Sequence, residues 1–117
     1  MRNNARYVLD SFALLAYLED ERGAEEVEEI LSAADEGRAR VWMCAINLGE
    51  VLYVTEREES LEAAQRVVAI VDQLPIEVVD PERALTFTAA HVKAHHSISY
   101  ADAFAVALDG RSGVRAG

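Results

Sequence analysis

The stretch RYVLDSFALLAYLED, residues 6–20, changes character at its centre. Tyr7, Val8 and Leu9 form a short apolar run, rich in β-branched and aromatic side chains, that ends on Asp10. Such a run suits a strand buried on both faces. From Ser11 the pattern becomes helical, and Asp10 or Ser11 stands where a helix cap is wanted. A buried strand that leads at once into a helix is the opening unit of an α/β sheet.

The same unit recurs. RVWMC (residues 40–44) reads as a second strand and INLGEVLYVTERE (46–58) as the helix after it, with an apolar stripe of Leu48, Val51, Leu52 and Thr55. IEVVD (76–80) reads as a third strand. Pro81 then suits the first position of a helix that continues through ERALTFTAAHVKAHH. Between these units lie two amphipathic helices. In the first, Val27, Ile30, Leu31 and Ala34 follow the i, i+3, i+4, i+7 spacing, opposite a face of glutamates. The second covers residues 60–74, with Leu61, Ala64, Val67, Val68, Val71 and Leu74 on its stripe and Pro75 as its stop. Ser99 opens a last helix, SYADAFAVALDG, whose composition predicts extensive burial.

Strands separated by helices imply right-handed crossovers and a parallel sheet with helices on both faces. The expectation is a three-layer α/β/α domain around a short central parallel sheet, one domain over residues 1–117. One cysteine, Cys44, excludes an intramolecular disulfide and a cysteine-rich metal site. No apolar run reaches membrane-spanning length and the N-terminus has no signal-peptide core, so a soluble cytoplasmic protein is expected. The net charge of −10 gives no long-range attraction for phosphate backbones.

In parallel sheets, chemistry collects beyond the carboxyl ends of the strands. Three acids qualify. Asp10 ends the first strand and also suits a helix cap. Glu50 lies at the edge of the apolar stripe of its helix, beside Asn47 and Val54, where a plainly solvated role is open to it. Asp102 stands three residues after Ser99 in a capping-box pattern, on a side shared with Ala105 and Val106 that is expected to be covered. Brought together, the three would repel and raise one another's pKa values unless a cation neutralised them. Mg²⁺ or Mn²⁺ suits such hard oxygen donors. His91 and His95 are spaced for Zn²⁺ but lack a third ligand, and Cys44 reads as a small buried residue.

The stretches YVLDSFALLAYL, INLGEVLY and ISYADAFAVAL, in that order, resemble the three acidic motifs of PIN domains of the kind found in VapC toxins of toxin–antitoxin pairs. The resemblance covers about residues 7–109. It implies a metal-dependent endoribonuclease in which Asp10, Glu50 and Asp102 hold Mg²⁺ or Mn²⁺, with Ser11 matching the hydroxyl residue after the first acid. It also implies an antitoxin-like protein partner and a homodimer. Ser99 supports Asp102 as its cap, and Asn47, one turn before Glu50, is placed to orient that acid or a bound water.

The family normally continues into a further strand that pairs with the first and ends near a fourth acid. Here DGRSGVRAG supplies neither. Asp109 is a poor substitute, since seven residues of helix put it about 10 Å from Asp102 along the axis. The expectations are a site that holds a second ion poorly, weak or absent cleavage, and an open apolar edge on the first strand that recruits another chain. The alternative function is therefore a PIN-like binding module without catalysis. A receiver-type phosphoacceptor domain would pair two acids after the first strand and carry a lysine on a late one, and neither is present.

Overall fold

A computed structural model describes residues 5–112 and 115–116. In chain order the elements are β1 (Ala5–Leu9), α1 (Ser11–Leu18), α2 (Ala24–Asp35), β2 (Ala39–Cys44), α3 (Ala45–Glu58), α4 (Leu61–Gln73), β3 (Glu77–Val79), α5 (Arg83–His95), α6 (Tyr100–Ser112) and β4 (Arg115–Ala116). The strands form one sheet in the order β3-β2-β1-β4, and every pairing is parallel. Among the described residues, no helix is long and apolar enough to cross a membrane.

Alternation along the strands divides the core. Val8, Trp42 and Cys44 point to one face, where Leu85 and Ala89 of α5 and Ala103, Phe104 and Leu108 of α6 cover them. Leu9, Val41 and Met43 point to the other. There Met43 meets Leu14, Val51, Val67 and Val71, while Leu9 and Val41 meet Val27 and Leu31. The expected three-layer α/β/α arrangement is the one observed.

Local chemistry sets the helix ends. The Asp10 carboxylate accepts the Ala13 amide at 2.8 Å and starts α1 where the β1 ladder stops. Gly23, at φ 97°, takes the left-handed turn into α2, a conformation that is cheap only without a Cβ. Ser60 caps α4 and Ser99 caps α6, each hydroxyl accepting an amide at 3.0 Å.

Four expectations are corrected. Pro81 does not open α5. It precedes Glu82, whose carboxylate accepts the Leu85 amide at 3.0 Å, so the helix begins at Arg83. Leu61 and Val68 are 52% and 39% exposed, because the buried stripe of α4 runs through Ala63, Ala64, Val67 and Val71. The side of α6 that Asp102 shares with Ala105 and Val106 is only partly covered: Ala105 is buried, but Asp102 is exposed and Val106 is 45% exposed. Finally, β1 does not keep an open edge along its length. The two residues of β4 pair with Tyr7 and Val8. A ladder uses backbone groups, so it does not need the apolar side chains that the tail lacks.

Candidate functional site

The three acids reach the C-terminal end of the sheet by different routes. Asp10 is the residue between β1 and α1, and its own cap hydrogen bond turns it there. Glu50 lies in the second turn of α3, which follows β2 directly. Asp102 lies in the first turn of α6, where its amide donates to Ser99 Oγ at 3.0 Å. Ser99 therefore performs its half of the expected capping box.

Glu50, Asp102, Ser11 and Ser99 line one cleft of about 600 Å³ between α1, α3 and the start of α6. Asp10 lines an adjoining cleft of about 220 Å³ with Arg22, Gly23 and Glu26. Phe12, 67% exposed, belongs to the walls of both. Burial is the main cause that pushes the Asp10 carboxyl above the usual range; the negative charges of Asp102 and Glu50 push in the same direction, against the Ala13 hydrogen bond.

Asn47 hydrogen-bonds to residues other than Glu50. It is wholly buried. Its Nδ2 donates to Ser11 Oγ at 3.3 Å and to the Ala101 carbonyl at 3.0 Å, while Ser11 Oγ donates to the Asn47 carbonyl at 3.1 Å. One side chain thus joins the residue after Asp10, the residue before Asp102 and the helix of Glu50. Its Oδ1 is buried with no hydrogen-bond partner among the described residues.

The model of the PIN domain family matches residues 7–114. The chain belongs to the PIN domain family. Its fold is shared by solved structures of low sequence identity. VapC20 of Mycobacterium tuberculosis, described as a sarcin-ricin-loop-cleaving toxin, is 21% identical with a TM-score of 0.72, over 92% of this chain and 84% of that one. VapBC2 of Rickettsia felis, bound to a DNA fragment from its promoter, is 14% identical with a TM-score of 0.73, over 95% and 85%. DNA-bound VapBC of Salmonella typhimurium is 16% identical with a TM-score of 0.68, over 94% and 83%. No curated protein matches the chain in sequence.

In this PIN domain the donor set fits a hard divalent cation in its chemistry. The carboxylate oxygens of Asp10, Glu50 and Asp102 suit Mg²⁺ or Mn²⁺. The side chains themselves do not close on a common point: among the described residues, no three His, Cys, Asp or Glu side chains form a group able to hold an ion. Glu50 is half-buried and Asp102 exposed, so both carboxylates have room to turn. Asp109 lines neither cleft, as its distance along α6 requires.

Sequence reading missed the rest of the cleft wall. Glu19, Glu21 and Glu58 join Glu50 and Asp102 there, and among the described residues no Lys or Arg lines it. Glu19 is raised first by burial and then by Glu21, Glu58 and Glu59. The signal was available in the acidic ends of two helices, LED–E at 18–21 and ERE at 56–58, but only the packing of α1 against α3 brings them face to face. Outside this region, His91 and His95 meet ring to ring at 4.7 Å, and burial pushes the Cys44 thiol up.

Proposed function

We propose that this PIN domain is a Mg²⁺- or Mn²⁺-dependent endoribonuclease of the VapC toxin kind, acting in the cytoplasm. What supports the reading is a PIN fold in which Asp10 follows β1 directly while Glu50 and Asp102 line one cleft beside it. Asp10, Glu50 and Asp102 would hold the ion. When bound, it activates a water and offsets charge on the phosphodiester. The protein's own part is to fix the acids: the Asp10 cap sets the first, Ser99 sets the turn of the third, and Ser11 lies buried between α1 and α3.

An antitoxin-like protein is the proposed partner, supported by the resemblance of the fold to VapBC complexes. A second copy of the chain is the other. The apolar side chains left exposed on α3 and α4, Tyr53, Leu61 and Val68, supply surface of the right kind.

One observation favours a second reading, a PIN-like binding module without catalysis. The acids are not drawn together into an ion-holding group, and the cleft that they border is negatively charged. Titration with Mn²⁺, coupled to an RNA cleavage assay on the wild type and Asp10→Asn, separates the two. Metal-dependent cleavage that is lost in the variant supports the nuclease. Metal binding without cleavage supports the module, and no binding of a divalent ion refutes the metal site.

A further inference from the structure

Three acids on three separate elements need something to hold the elements in register. The caps do not do this, since each acts within its own helix. The hydrogen bonds among Ser11, Asn47 and Ala101 cross between helices and are the side-chain bonds that join α1, α3 and α6 at the end of the sheet where the acids lie.

We infer that Asn47 is the positioning residue of the site: through Ser11 and the Ala101 carbonyl it sets where Asp10 and Asp102 stand relative to Glu50. This inference rests on the proposed metal-dependent function and assigns a role that contact with substrate would not require. Four features carry it. Asn47 is fully buried, so a polar side chain is kept there at a desolvation cost. Its two amide hydrogens go to two different elements, across 36 and 54 residues of sequence. Each partner is the immediate neighbour of a site acid, so a shift at either is passed directly to a carboxylate. The reciprocal bond from Ser11 Oγ to the Asn47 carbonyl makes the α1–α3 joint two-pronged, which resists rotation as well as separation.

Asp102 is the acid most dependent on this joint. Its side chain is exposed. What fixes it is backbone: the Ser99 hydroxyl on its amide and the Asn47 amide on the carbonyl just before it. Supports behind the ligands characteristically change metal affinity or activity by about 10- to 100-fold when removed.

The test uses the full chain as wild type, Asn47→Ala, Ser11→Ala and Ser11→Thr, with Mn²⁺ binding read by calorimetry, folding by thermal melting, and RNA cleavage by kcat and KM. Asn47→Ala is expected to weaken Mn²⁺ binding by about 10- to 100-fold and to lower kcat more than it raises KM. Ser11→Ala is the milder variant and keeps the test alive if Asn47→Ala does not fold. It is expected to weaken Mn²⁺ binding in the same direction, and Ser11→Thr, which keeps the hydroxyl, to restore it. Folded variants that melt earlier yet bind Mn²⁺ like the wild type would show a merely structural role and overturn the inference. A wild type that binds no Mn²⁺ overturns the proposed function and this inference with it, whereas Mn²⁺ binding weakened only in the variants upholds the inference, and cleavage by the wild type decides the proposed function.

Discussion

The hydroxyl of Ser11 and the main chain of Asn47 are joined at 3.1 Å, and the Asn47 amide returns a bond to the same oxygen at 3.3 Å. Asn47→Leu keeps the bulk and removes both donors, leaving the Ala101 carbonyl and Ser11 without them. A stability loss of about 1–3 kcal/mol is expected from urea unfolding. An unchanged midpoint would mean that the bonds are dispensable to the fold.

Asp10 gives a pH signature. Burial first, then Asp102 and Glu50, hold its carboxyl above the usual range, so the folded protein binds this proton more tightly than the unfolded chain. The group's contribution is therefore full in acid and declines as pH rises through the carboxylate range. Asp10→Asn retains a capping oxygen and cannot ionise. The variant is expected to be more stable than the wild type at pH 7, with the difference gone below about pH 3. Denaturant melts at the two pH values check this, and a variant less stable at pH 7 contradicts it.

Leu14 joins α1 to Met43 of the sheet and Val51 of α3, and it is fully buried. Leu14→Ala leaves a cavity beneath the site and is expected to cost about 2–5 kcal/mol in chemical denaturation. A cost below that range would show that the helices settle inward.

Ser99→Ala removes the hydroxyl that accepts the Asp102 amide. A loss of about 1 kcal/mol is expected, with faster hydrogen exchange at that amide. Exchange that stays slow would mean that water or another group takes over the cap.

The negative cleft makes a prediction about RNA. Replacing Glu21 and Glu58 together by glutamine removes two charges opposite Glu50 and Asp102. Binding of a single-stranded RNA at low salt is expected to tighten by about two- to tenfold, and the gain to shrink as salt rises. Fluorescence anisotropy with a labelled RNA measures both.

The sheet and its helices were legible because each strand is a short apolar run and each helix carries a periodic stripe. The place of Asp10 as the cap of α1 was legible for a related reason: a strand-to-helix junction has few residues. The exposure of Val106 was not legible, since a helix apolar on every side does not say which side meets the sheet. The pairing of β4 with Tyr7 and Val8 was hidden because it is made by backbone alone. For the candidate site, the order of the three acids could be read, but not their separation. That depends on contacts such as Asn47 to Ala101, between residues whose spacing in sequence obeys no period.

The strand order also bears on how the protein is made. β1 lies inside the sheet, flanked by β2 and by β4, whose residues are the last that the structure describes. On a ribosome Asp10 would emerge on a strand whose neighbours follow it, and Asp102 would emerge only after β2 and β3. Parallel pairings between distant segments form slowly. The three acids would thus come together only once α6 has emerged, so a shorter growing chain beside the ribosome's own RNA has no assembled candidate site.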